Sequence, residues 1–184
     1  MPMWILAPLA LLGGLFLIKF VYVVCTAMVL SKTRGALFVA TPQARVNAFL
    51  ESMPMEENAL FIDLGCGDGR VISGAVKKYG VRAVGYDLNP LALLTAKARN
   101  LFLSKAKIKA RDFFRADLSQ ADYVFCYLFP DVMHDLSQKL KQELKPGAKA
   151  VSANFPLPGW SPYSVIKPKG ALNHDPIYLY EVEE

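Results

Sequence analysis

The chain has 184 residues, 53% of them apolar, and a formal net charge of +5. The length suits one ordinary domain. Three cysteines, Cys25, Cys66 and Cys126, fall in no CxxC or ligand-like spacing, which excludes a disulfide framework and a structural zinc site. The lysines and arginines read as dispersed, with no basic stripe interleaved with aromatics, so the charge fits a solvated surface or a nearby anionic membrane and not nucleic acid.

The apolar excess lies at the start. From Met3 to Leu30 the sequence is almost wholly apolar, broken by Lys19, and a spanning helix needs about 20 such residues. One lysine at depth costs about 2.5–3.5 kcal/mol, while each Leu, Ile, Phe or Val returns about 0.3–0.6 kcal/mol. The balance favours insertion, with Trp4 where an interfacial aromatic sits. A cleaved signal peptide fits less well, because no basic residue precedes the run and the run is too long. A buried helical hairpin is the other alternative. Lys32, Arg34 and Arg45 follow the run, which places what comes after it on the cytoplasmic or equivalent inner side. The expectation is a transmembrane anchor with its juxtamembrane segment over 1–34 and one domain over 35–184.

Strand and helix signals then alternate. A short apolar run at 59–64 reads as a strand, followed by a glycine-rich turn and a helix over 70–79 that Gly80 stops. A second strand covers 81–88. Asn89 and Pro90 are a good N-cap and first helical residue. Leu91, Leu94, Ala98, Leu101 and Phe102 form the apolar stripe expected to face the core. Strands follow near 107–110 and over 123–129. A helix from Asp131 carries Val132, Leu136, Leu140 and Leu144 in register, and a fifth strand spans 148–155. Two last strands, 163–167 and 177–182, read as an antiparallel hairpin. The pattern predicts an α/β fold with a Rossmann-like, mostly parallel sheet.

The chemistry concentrates at Asp63-Leu64-Gly65-Cys66-Gly67-Asp68-Gly69, between the first strand and its helix, where open α/β sheets bind ligands. Gly65, Gly67 and Gly69 let the backbone turn sharply beside a ligand. The spacing is GxGxG, not the GxGxxG that seats a pyrophosphate. S-adenosylmethionine carries no phosphate, and Asp63 suits its ammonium. Asp87, about 20 residues on at the end of the second strand, suits ribose hydroxyls. Asp112 and Phe113, after the third strand, suit the adenine amine and ring. Each acid alone is an ordinary loop residue; their order at successive strand ends makes the cofactor specific.

The chain resembles the class I S-adenosylmethionine-dependent methyltransferases. It also resembles, more narrowly, the ATP synthase c-subunit and adenine nucleotide translocase lysine methyltransferases with their prokaryotic relatives. The narrower resemblance rests on Gly35-Ala36-Leu37-Phe38-Val39-Ala40-Thr41-Pro42 after the apolar helix, the loop through Arg70, Val84-Gly85-Tyr86-Asp87-Leu88-Asn89, and Asn154-Phe155-Pro156-Leu157-Pro158-Gly159-Trp160. It implies methyl transfer to a lysine of a membrane protein. Tyr127-Leu128-Phe129-Pro130 does not match the family.

Methyl transfer from a sulfonium needs in-line alignment and exclusion of water. A lysine acceptor must also lose a proton, its reference pKa being about 10.4. An aromatic, desolvated channel favours the neutral amine. Tyr127, Phe129, Phe155 and Trp160 are the candidate lining. Tyr127 is either an acceptor for the amine hydrogen or a rim aromatic. Asn154 is either a substrate-orienting amide or a strand-end turn residue. Thr41 either touches the cofactor or caps the helix starting near Pro42, and Leu88 joins the cofactor set beside Asp87. Arg70 orders the loop; His134 and His174 read as surface residues. The competing functions are methylation of a lipid, quinone or other small apolar molecule, and a non-catalytic membrane-bound ligand module.

Overall fold

Short apolar runs alternating with amphipathic helices commit a chain to a parallel sheet covered on both faces, and the computed structural model has that architecture. It describes residues 3–30, 40–168 and 175–183, and the side chains of the first helix over 11–24. Lys32, Arg34, residues 35–39 and His174 lie outside the described residues, as do the side chains of Trp4 and Cys25. The chain divides into two units, 1–37 and 38–184.

The first unit holds α1 (Met3–Leu30), one helix of 28 residues. Over 11–24 its side chains are exposed, among them Leu11, Leu15, Phe16, Ile18 and Phe20. Among the described residues no helix is long and apolar enough to cross a membrane. The expected helix is present, and the expected span is not supported by the described residues.

The second unit contains α2 (Gln43–Ser52), β1 (Leu60–Leu64), α3 (Arg70–Tyr79), β2 (Arg82–Asp87), α4 (Pro90–Arg99), β3 (Ala106–Ala110), β4 (Tyr123–Cys126), α5 (Pro130–Glu143), β5 (Lys149–Ala153), β6 (Ser164–Ile166) and β7 (Ile177–Glu181). The sheet order is β3-β2-β1-β4-β5-β7-β6. β1 to β5 run parallel, while β7 is antiparallel to both β5 and β6. The expected hairpin is therefore real, but β7 and not β6 joins the parallel part. The order reverses at β1, whose neighbours are β2 and β4, so the C-terminal end of β1 faces the crevice between the two halves of the sheet.

Alternation along the strands builds two cores. Phe61 and Phe125 pack with Phe49 of α2 and Ile72 and Ala75 of α3 on one face. Ile62, Leu64 and Val124 pack with Leu136 and Leu140 of α5 on the other. The Phe49 ring lies 4.8 Å from that of Phe125 and 6.1 Å from that of Phe61; such pairs add about 0.5–1.5 kcal/mol each beyond the area they bury.

Asn89 caps α4 as expected, its side chain accepting from the N–H groups of Leu91 and Ala92. The buried stripe of that helix is different from the expected one. Ala92, Leu93 and Ala96 face inward, and Leu94, Leu101 and Phe102 face solvent. Two stripes of helical period exist on this helix, and the small residues face inward because α4 lies close over the glycine loop. A Cβ on Gly69 would sit 3.0 Å from Ala96 Cβ.

Candidate active site

Asp63 is the fourth residue of β1, on the strand at the reversal point, with Gly85 of β2 and Phe125 of β4 as its register partners. Its carboxylate is 2% exposed, and its Oδ2 is buried with no hydrogen-bond partner. Burial, then the charges of Asp87 and Asp68, hold the Asp63 carboxyl well above the ordinary carboxylate value. A buried anion without a counter-charge is costly, so this site favours a cationic group.

The loop around Asp63 is held by its own backbone. Gly65, Gly67 and Gly69 all have left-handed φ values of 78°, 52° and 73°, a conformation that costs side-chain-bearing residues about 1–2 kcal/mol. The N–H groups of Gly65 and Cys66 both donate to the Tyr86 carbonyl at 2.9 Å. Gly67 N–H donates to Asp87 Oδ2 at 2.7 Å, and Asn89 N–H donates to Asp87 Oδ1 at 2.8 Å. Asp87 therefore ties the loop after β1 to the turn after β2. Cys66 packs against Gly85, where an added Cβ would meet its Sγ at 2.7 Å.

Asp68 is a part of the loop that sequence reasoning left without a role. It accepts from Arg70 Nε and Nη2 at 2.9 and 2.7 Å and from Arg99 Nη2 at 2.9 Å. Burial opposes its ionisation, but the hydrogen bonds and charge of Arg70 and the charge of Arg99 outweigh it, leaving the carboxyl below its ordinary value. Arg70 Nη1 also donates to the Thr41 carbonyl at 2.8 Å. Arg70 thus orders the loop and fastens it to the segment before α2. Thr41 is buried and does not cap that helix, since Pro42 holds the N-cap position with no side-chain bond.

An open pocket lies over this loop, lined by Thr41, Asp63, Gly65, Cys66, Gly67, Asp68, Arg70, Val71 and Tyr127. Tyr127 follows β4 and brings the only aromatic ring among these residues. Behind it lies Arg45, which is 1% exposed. The Arg45 guanidinium sits 4.8 Å from the centre of the Tyr127 ring, and its Nη2 pairs with Asp175 at 2.6 Å. Its Nε and Nη1 are buried without partners. Only the pairing across 130 residues makes Arg45 part of this wall; from the sequence it counts as one more basic residue after α1.

Asp112 lies beyond β3, where Arg111 N–H donates to the Asp87 carbonyl at 3.1 Å. The Asp112 side chain accepts from Phe114 N–H. Phe113 is half-buried, its ring 4.6 Å from that of Phe114, and Leu88 is half-buried after Asp87. The structure thus brings the segments bearing Asp63, Asp87 and Asp112 together. Asn154 follows β5 in a left-handed conformation, φ 76°, its N–H donating to the Pro176 carbonyl at 2.8 Å. Phe129 is exposed at the N-cap of α5. Phe155 and Trp160 pack toward the α5 side of the sheet, Trp160 edge-on to Tyr180 at 5.8 Å with its Nε1–H donating to the Ser137 carbonyl. These three do not line the pocket beside Asp63.

Burial raises the Cys66 thiol far above its ordinary value and that of Cys126 to about 12. Neither supplies a thiolate at neutral pH.

The family described as ANTKMT methyltransferase domain matches residues 63–164, more than half of the chain. The chain belongs to the ANTKMT methyltransferase domain family. A protein-lysine N-methyltransferase of Saccharolobus islandicus is 39% identical over 152 residues, 80% of this chain and 94% of that protein. The human ATP synthase c-subunit lysine N-methyltransferase is 31% identical over 147 residues, 77% of this chain but only 62% of the human one. Among solved structures, a Salinibacter ruber protein described as an RNA methyltransferase, in complex with S-adenosyl-L-homocysteine, superposes with a TM-score of 0.73. It is 31% identical, covering 79% of this chain and 95% of its own. This member of the ANTKMT family is an S-adenosylmethionine-dependent methyltransferase. The unpaired, buried Asp63 carboxylate and the left-handed glycine loop fit that cofactor, whose amino-acid end carries an ammonium.

Proposed function

We propose that this ANTKMT-family enzyme methylates the side-chain amine of a lysine in a membrane protein. The observation that carries the reading is the 39% identity to a protein-lysine N-methyltransferase across 94% of that relative. S-adenosylmethionine, when bound, supplies a methyl group on a sulfonium that leaves as a neutral thioether. On this reading Asp63 holds the ammonium of the cofactor, and Asp87 the ribose hydroxyls through the carboxylate lone pairs not used by Gly67 and Asn89. Asp112, Phe113 and Leu88 hold the adenine, while Thr41 and the glycines of the loop close around the amino-acid end.

An acceptor amine would have to lose its proton before it could take the methyl group. Tyr127 accepts a hydrogen bond from that amine beside the pocket, and the Arg45 cation behind the ring disfavours a protonated acceptor there. Asn154 orients the substrate from the end of β5. Phe129, exposed at the N-cap of α5, flanks its approach, while Phe155 and Trp160 support the segment after β5 from the α5 side. Membrane residence is part of the same reading: α1 holds the enzyme at the bilayer with the domain on the cytoplasmic or equivalent inner side. The exposed apolar side chains over 11–24 support it, as does the substrate for which the human relative is named, the c-subunit of ATP synthase.

The test is transfer of labelled methyl from S-adenosylmethionine in membranes containing the protein, beside an Asp87→Ala control. Label on methyl-lysine of a protein band, absent in the control, is the expected result. Label in the solvent extract would move the acceptor to a lipid or quinone. Label on RNA, the acceptor class by which the Salinibacter ruber protein is described, would overturn the lysine reading.

A further inference from the structure

The positive charge of this chain is local. Residues 97–115 hold seven of its 21 lysines and arginines and one of its 16 acids, which leaves 14 basic residues against 15 acidic ones elsewhere. The sequence itself carries this cluster, against the expectation of dispersed charge, and the fold places the stretch at one edge of the sheet. It comprises the end of α4, the turn after it and β3, which is the edge of the sheet and pairs only with β2.

Arg99 and Lys105 are engaged by Asp68 and Glu57. Lys97, Lys107, Lys109 and Arg111 are exposed and form no ion pair among the described residues. The same edge exposes Leu94, Leu101 and Phe102 at 66%, 71% and 92%. Lysines on an edge strand have a plain use, since they stop a second sheet from pairing there. That accounts for Lys107 and Lys109. It leaves three exposed apolar side chains on the helix and turn beside them without a cause.

We propose that the α4–β3 edge is a docking surface for an anionic lipid bilayer. Lys97 lies three residues after Leu94 and four before Leu101, and a cation set between exposed leucines is the chemistry of an interfacial membrane contact: the cation meets anionic headgroups and the apolar side chains enter the boundary with the acyl chains. Nucleic acid would use the cations and stack a base on Phe102, but it gives the two leucines nothing to bury against. The proposal goes beyond the methyl-transfer reading and does not depend on it.

The test is amide hydrogen exchange of the full chain with lipid nanodiscs, read on peptides covering 97–111. Discs of phosphatidylcholine alone are compared with discs containing about 30% phosphatidylserine, so that any contact made by α1 is common to both arms and the anionic charge is the variable. Exchange over 97–111 is expected to slow at least about five-fold on the anionic discs relative to the neutral ones, the effect of roughly one lysine at such a surface. Lys97→Gln should weaken docking about five-fold and abolish the slowing, whereas Lys107→Gln, on the other face of β3, should leave it. Phe102→Ser should reduce it without changing cofactor affinity. Equal exchange on both discs, or slowing that survives Lys97→Gln, overturns the proposal. Slowing by an oligouridylate with no response to anionic discs also overturns it and gives the edge to nucleic acid.

Discussion

Replacing Asp63 by Asn removes the buried charge and keeps the shape, and its consequences for the free enzyme and for the cofactor have opposite signs. In the wild type the folded-state carboxyl is raised well above its ordinary value, first by burial and then by Asp87 and Asp68. The folded protein thus keeps a proton that the unfolded chain releases. The stability this contributes is full below the ordinary carboxylate value and is lost as pH rises toward the raised folded value, at about 1.4 kcal/mol per pH unit inside that window. For a domain of this size that is roughly 3–6 °C of Tm per pH unit. The amide of the Asp63→Asn variant does not titrate and carries no such slope, so the ligand-free variant gains on the wild type as pH rises. A cationic ammonium, in contrast, draws Asp63 into its ionised form, so cofactor binding releases a proton and tightens with rising pH. Losing a charged hydrogen-bond partner costs about 1.5–3 kcal/mol, or roughly 10–150-fold in Kd. Thermal melts between pH 4 and 8 read the first effect, and titration calorimetry in buffers of different ionisation enthalpy reads the second. A variant that binds S-adenosylmethionine as tightly as the wild type, or a wild-type affinity that falls as pH rises, would refute the role given to Asp63.

Three further outcomes follow from the geometry. Gly69→Ala places a Cβ 2.5 Å from Asn100 Nδ2 and 3.1 Å from the backbone of Ala96 at φ +73°; at about 2 kcal/mol or more of strain, its Tm should fall by at least about 4 °C. Arg45→Met leaves Asp175 without its cation and Tyr127 without its stack, and denaturant unfolding should show a loss of about 3 kcal/mol, as when one partner of a buried pair is removed. Asp87→Ala frees the N–H groups of Gly67 and Asn89, and calorimetry should show cofactor Kd raised at least about ten-fold, with a loss of about 1–3 kcal/mol of stability in the same preparation.

Local chemistry alone determined much of this protein. The helix over 70–79 and the N-cap at Asn89 are set by neighbouring residues: glycine stops, a side chain that reaches the next turn, a helical period of apolar residues. The loop with Asp63, Gly65, Gly67 and Gly69 is legible for the same reason, because left-handed backbone demands glycine wherever it occurs. Other features depend on what the chain meets after folding. On α4 both Leu91-Leu94 and Ala92-Ala96 have helical spacing, and only the closeness of the glycine loop selects the small pair. The order of β6 and β7 is a choice of edge that a hairpin pattern does not contain. Trp160 packs on Tyr180 instead of beside Asp63, because the segment after β5 turns toward the α5 side of the sheet. Arg45 has no local signal at all: its cation is held by Asp175 and faces Tyr127, partners 130 and 82 residues away that only the sheet brings together.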